Sequence, residues 1–177
     1  VHNNIIEEFE KDKKGYAAPS SLDIDGNIIS ADTNDKEVVD IISEKLGTLE
    51  SLKIALKNAA LSLAESKPWG EFDHSDSARI NELGLACNFY TVSNKRYSTE
   101  WEKNFAIQVL NEENNNIYFV VVGDNKGFPV SPVKFPAKAA SVIEVEMASI
   151  ESEIDKTTTE SLFLNSLKEK IDSYSAE

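Results

Sequence analysis

Three short stretches of this chain hold residues whose types and spacing could do chemistry. Asp23-Ile24-Asp25-Gly26-Asn27 sets two carboxylates one residue apart ahead of a glycine. Val120-Val121-Val122-Gly123-Asp124-Asn125 puts another at the end of an apolar run. A hard dication and a phosphoryl group share oxygen ligands, so clustered aspartates are the side chains that metal-assisted phosphoryl transfer requires. Asp73-His74-Ser75-Asp76 offers an imidazole among carboxylates. A metal there would need a third or fourth ligand, and the other histidine, His2, is far away in sequence. Ser75 beside His74 is no triad, because adjacency along the chain does not place a base on a hydroxyl. A surface loop following Trp69-Gly70 accounts for that stretch. Cys87, the sole cysteine, falls mid-strand among apolar neighbours, where cysteine acts as a small hydrophobe, so a core role is expected.

The two aspartate motifs together resemble the first and last motifs of haloacid-dehalogenase-type phosphotransferases. The resemblance implies that Asp23 attacks phosphorus, Asp25 serves as acid and base, and Asp124 holds magnesium. It covers those two stretches alone and departs from the family's pattern in three ways. No apolar strand leads into Asp23, Asn27 stands where the family usually has threonine, and no repeated βαβ units lie between the motifs. The enzyme reading is not adopted; the aspartates read as solvated residues of two glycine turns. A calcium-binding EF-hand loop fails too. It needs glycine at position six and glutamate at twelve, whereas Gly26 is fourth from Asp23 and Asn34 is twelfth.

Trp69, Phe72, Tyr97 and Trp101 lie in or beside loops. Aromatic side chains are enriched at protein interfaces, so these four are the candidate interaction residues; capping of the core edges is the competing role. No phosphate-cradling glycine loop, paired-cysteine metal motif or serine elbow is present in the sequence. No catalytic residue, metal site or cofactor is assigned.

The bulk composition bounds the partners. The 177 residues are 41% hydrophobic and 28% charged, with a formal net charge of -13. That suffices for one real core and is not a disordered composition. An acidic surface repels phosphate backbones and anionic lipid, so neither direct nucleic-acid binding nor membrane association is expected. Arg79 and Arg96 stand against 16 lysines, which leaves few candidates for bidentate phosphate clamps. One cysteine allows no intrachain disulfide, and no apolar run approaches a membrane-spanning length. Partners are expected to be another protein or a second copy.

Periodicity supplies the elements that would position these residues. His2 to Lys14 carries Ile5, Ile6 and Phe9 at helical spacing. Asp25-Gly26 between short apolar alternations predicts a hairpin, because both turn positions need positive φ. Asn34 with Glu37 has capping-box spacing before Val38, Val39, Ile42 and Leu46. Gly47 then predicts a helix stop, and Thr48 a cap for a second helix along Leu49, Leu52, Leu56, Ala59, Ala60 and Leu63. Residues 85–92 and 105–110 alternate as strands, while Ile117 to Val122, apolar on both faces, predicts a central strand. The polar stretch Asn111 to Asn116 connects the last two. Gly123 to Pro136 holds two glycines and three prolines, which forbid regular structure over most of it. Ile143, Met147, Ile150 and Ile154 then mark one helix, and Thr157 with Glu160 caps another along Phe163, Leu167, Ile171 and Tyr174. The sum over residues 1–177 is a single acidic α+β domain. It has an antiparallel sheet of three to five strands, an N-terminal helical hairpin and two C-terminal helices.

The chain starts at Val1 and ends Ser175-Ala176-Glu177. That ending is similar to the Ser-x-Glu sites cut by head-maturation proteases of some giant tailed phages. It suggests trimming at both ends during virion assembly, against a simple trimming of the expressed sequence. The expected function is a non-catalytic structural or protein-interaction role, with the cytoplasm or a virion as its place. The alternatives are an acidic inhibitor or immunity-like protein covering a basic surface, and last a magnesium phosphatase.

Overall fold

The computed structural model describes residues 15–174, so the expected helix over 2–14 lies outside the described residues. The protein is mixed helix and antiparallel sheet. The described residues group into two compact units, 15–58 with 147–174, and 59–146.

In the first unit, β1 (Ser21–Ile24) pairs antiparallel with β2 (Asn27–Ser30) across the predicted two-residue turn. Asp25 and Gly26 both have positive φ, 53° and 86°, and Asp23 Oδ1 accepts the Gly26 N–H at 2.9 Å. A glycine at the second position removes the Cβ clash that this backbone region imposes. The hairpin is a separate two-stranded sheet and adds no strands to the larger one. Ile24 and Ile29 from its buried face pack with Val38, Phe163, Leu164 and Leu167.

The expected helical hairpin is replaced by one helix, α1 (Asp35–Ser66). Asn34 does begin it, its side-chain oxygen accepting the Lys36 N–H at 2.9 Å. Gly47 does not end it. The inward stripe Val38, Ile42, Lys45, Leu49, Leu52, Leu56 keeps one helical phase across the glycine, and no proline intervenes before Pro68. An interior glycine costs a helix only about 1 kcal/mol relative to alanine, less than a continuous packed face returns. Thr48 is no cap; its hydroxyl donates to the Glu44 carbonyl one turn back at 3.0 Å.

The two expected C-terminal helices are likewise one, the last helix of the fold (Ala140–Tyr174). Thr157 sits in the buried stripe, with its hydroxyl on the Glu153 carbonyl at 2.7 Å. Ser161, fully buried, does the same to Thr157. Small hydroxyl residues satisfied inside the helix can occupy a stripe without stopping it.

The second unit is built on three antiparallel strands, β3 (Cys87–Ser93), β4 (Ala106–Glu113) and β5 (Asn116–Val122), in the order β3-β5-β4. The doubly apolar strand is central, as its composition requires. Both β4 and β5 reach further into the polar stretch than expected, leaving Asn114 and Asn115 as the turn, both at positive φ. One face packs Tyr90, Val92, Ile117, Phe119 and Val121 together. The Asn125 amide donates to the Tyr90 hydroxyl there at 2.9 Å. A short α2 (His74–Glu82) stands where a surface loop was expected, and one turn, α3 (Trp101–Asn104), precedes β4. The α2 helix starts because Asp73 Oδ1 accepts the Ser75 N–H at 2.8 Å, a bond that also holds the Asp73 carboxyl below its ordinary pKa. The Ala140–Tyr174 helix is α4. No helix among the described residues is long and apolar enough to cross a membrane.

Candidate functional site

A half-open groove of about 530 Å³ lies in the second unit, with Trp69, Thr91, Tyr118, Val133, Phe135 and Ile143 among its lining. Its aromatic wall follows from strand alternation. Phe89, Thr91 and Tyr118 share one face of the sheet, opposite to Tyr90 and Phe119. Trp69, only 7% exposed, meets Phe89, Tyr118 and Phe135 edge to face at 5.2–5.8 Å. Phe135 stacks on Phe89 at 3.9 Å and touches Phe72 at 4.4 Å.

The other wall is the irregular segment 133–138, held by bonds from distant residues. Val133 N–H donates to the Phe89 carbonyl at 2.8 Å. The buried Ser66 hydroxyl donates to the Lys138 carbonyl at 2.7 Å. His74 Nε2 lies 2.8 Å from the Ala137 carbonyl, so that nitrogen carries the proton. Glu71 accepts both the backbone N–H and the hydroxyl of Ser141, fixing the first turn of α4. These bonds span 44 to 72 residues of sequence, and together they make an irregular segment into a fixed surface. Four charges rim the groove. Lys138 and Glu146 satisfy each other at 2.6 Å, whereas Glu65 and Lys134 have no ion-pair partner among the described residues.

No family model matches the chain. No curated protein and no solved structure matches it either. The site must therefore be judged on its own geometry.

The four candidate aromatics divide between the two faces of the sheet. Trp69 and Phe72 build the groove side, joined through Phe135. Tyr97 and Trp101 cover the opposite face, packing on Phe119 at 5.4 and 6.4 Å. The Tyr97 hydroxyl donates to Glu102, and burial with that carboxylate pushes its pKa up to about 12. Cys87 is half-buried, and burial raises its thiol. The end Ser175-Ala176-Glu177 lies outside the described residues. Sequence reasoning missed Thr91, Tyr118 and Phe135, because nothing local marks which face of a strand will border a groove.

The aspartates of the two turns are engaged separately. Asp124 Oδ1 accepts the Lys126 N–H at 2.9 Å. Asp25 belongs to a charged cluster in the first unit. Lys45 Nζ lies 2.6 Å from Asp25 Oδ2 and 2.7 Å from Glu160 Oε2, with Lys156 3.9 Å from each acid. The side chains of Lys45 and Glu160 are 11% and 5% exposed, against 62% for Asp25. Glu160 Oε2 meets the ammonium as a charge contact without an aligned hydrogen bond. The hydrogen bond from Lys45, and then its charge, hold the Asp25 carboxyl below its usual pKa. Burial alone would lower Lys45; its hydrogen bond to Asp25 and the negative charges of Asp25 and Glu160 outweigh that and raise it. Among the described residues no three His, Cys, Asp or Glu side chains are grouped so as to hold a metal ion. The cluster ties a turn to two helices; its acids already face a cation.

Proposed function

We propose that this chain acts by binding a protein partner rather than by catalysis, and that the groove beside Trp69, Tyr118 and Phe135 is where a partner docks. The single observation that carries this reading is the groove's construction. It is concave and mostly apolar, with Trp69, Tyr118 and Phe135 in its lining, and its irregular wall is pinned by side chains from distant elements. Pre-formed sites with an apolar lining and a few polar groups are what binding surfaces use. The Tyr118 hydroxyl and the Glu65 and Lys134 charges make no hydrogen bond or ion pair among the described residues.

The test is selection of a random-peptide display library on the full chain and on an Ala59→Trp variant. Ala59 is half-buried on α1 and lines the groove, so an indole there fills it without crossing the sheet core. Peptides enriched on the native chain should lose binding to the variant. Equal enrichment on both, or none, overturns the reading.

A second reading, an acidic antagonist of a basic surface, draws on the net charge of -13. It predicts partner affinity that falls steeply with salt and survives the Ala59→Trp change.

A further inference from the structure

The groove is bordered by a strand edge, and this decides what shape of partner it accepts. The β3–β5 ladder is bracketed by Gly123 N–H on the Ala86 carbonyl and Asn94 N–H on the Asn115 carbonyl, at 2.7 and 2.8 Å. Given the register Cys87↔Val122 to Ser93↔Asn116, the even-numbered residues of β3 spend their backbone groups on β5. The odd-numbered ones, Cys87, Phe89, Thr91 and Ser93, direct theirs to the open side. Along that side the Phe89 carbonyl is taken by Val133, and the Ser93 carbonyl by the Arg96 and Tyr97 N–H groups at 2.9 and 3.1 Å. Thr91, between them, makes no such bond among the described residues, and it lines the groove.

The local chain does not close this gap. Continuing the antiparallel bridge Phe89↔Val133 by two residues would set Ser131 against Thr91. Pro129 and Pro132 fix the backbone on either side of Ser131, and no bond from it to Thr91 forms. A strand edge with free donor and acceptor beside an apolar groove is the arrangement that strand addition uses: backbone bonds give affinity and alternate side chains enter the pocket.

Resting on the groove-binding function above, we propose that the occupant is an extended segment of a separate, basic protein. It pairs antiparallel with β3 at Thr91 and seats apolar side chains, two residues apart, against Trp69, Tyr118 and Phe135. Charge selects this occupant. Two copies of a chain carrying -13 repel one another, whereas a basic protein is drawn in. At the groove itself Glu65 calls for a lysine or arginine flanking the apolar anchors, and Lys134 for one acid.

The experiment uses the groove-dependent peptides from the display selection, made synthetically, and scans them by backbone N-methylation against the full-length chain. Methylation removes a donor from the ligand and leaves the protein untouched, so misfolding cannot mimic the result. The expected pattern is a loss of about tenfold or more in affinity at one position, little at its neighbours, and apolar residues in alternation. Glu65→Lys should shift the selected flanking residue from basic to acidic. A flat methylation scan with binding still lost in Ala59→Trp overturns strand addition and leaves the groove function standing. Peptides that bind as helices, read from transferred nuclear Overhauser effects, overturn it too. Absence of any groove-dependent peptide overturns both. Concentration-dependent dimerisation of the native chain that Ala59→Trp abolishes would replace the basic partner with a second copy.

Discussion

The two units hold themselves together by different chemistry. The core of residues 15–58 and 147–174 is mostly aliphatic, with Ile24, Val38, Leu164 and Leu167 around Phe163, and it carries a buried lysine–glutamate pair on its helix stripes. The core of residues 59–146 is largely aromatic, with Tyr90, Phe119, Trp101 and Phe128 on one side of the sheet and Trp69, Phe89 and Phe135 on the other. An ion pair fixes two specific atoms against each other and tolerates no loss of one partner. Interlocked rings fill volume and leave an apolar surface where the filling stops. The groove is that surface.

The largest expected effect is at the ion pair. Lys45→Ala leaves the buried Glu160 with only the exposed Lys156, 3.9 Å away, and should destabilise by about 3 kcal/mol in chemical denaturation, with faster amide exchange across β1 and β2. The double change Lys45→Met with Glu160→Leu should recover most of that, since a well-packed apolar pair of similar volume is often as stable. If the single and double variants are equally unstable, the cluster is not what distinguishes the first unit. Trp69→Ala should cost about 3 kcal/mol through lost ring packing, with exchange rising in segment 133–138 and no rescue by any charge. Tyr90→Phe should cost about 1 kcal/mol, because the Asn125 amide loses its acceptor.

The smallest mutational effect goes the other way. Gly47 is exposed on α1 with nothing within 4 Å of a Cβ placed there. Gly47→Ala should therefore stabilise by about 0.5–1 kcal/mol in thermal unfolding. A loss of stability would show that the glycine has a role its helical position does not require.

The cluster also sets a pH signature. Asp25 is depressed, so its contribution is present above its unfolded pKa near 3.8 and disappears as pH falls through the lower folded value. Lys45 is raised, so its contribution is present below 10.5 and disappears as pH climbs through the higher folded value. Denaturation midpoints of Lys45→Met/Glu160→Leu should accordingly vary less than those of the native chain below about pH 4 and above about pH 10.

The helices show how legibility failed. Local punctuation predicts a break in each long helix at a residue that stops helices well in isolation, Gly47 in one and Thr157 in the other. In each case the 3.6-residue phase continued through the break, and polar residues on the buried stripe hid that continuity. Lys45 and Glu160 look like surface residues until each is seen to supply the other's counter-charge.

The sequence alone determined what depends on neighbours along the chain. The Asp25-Gly26 turn, the Asn34 helix start, the doubly apolar central strand and the irregular proline-rich segment all follow from backbone sterics and short-range periodicity. Tertiary structure alone decided which strand β3 would pair with, that the early hairpin forms a two-stranded sheet of its own, and that Ser66 and His74 would anchor segment 133–138. Those outcomes bring together groups dozens of residues apart. Their free energy comes from burial and long-range hydrogen bonds that exist only once the chain has folded, and no local pattern records them.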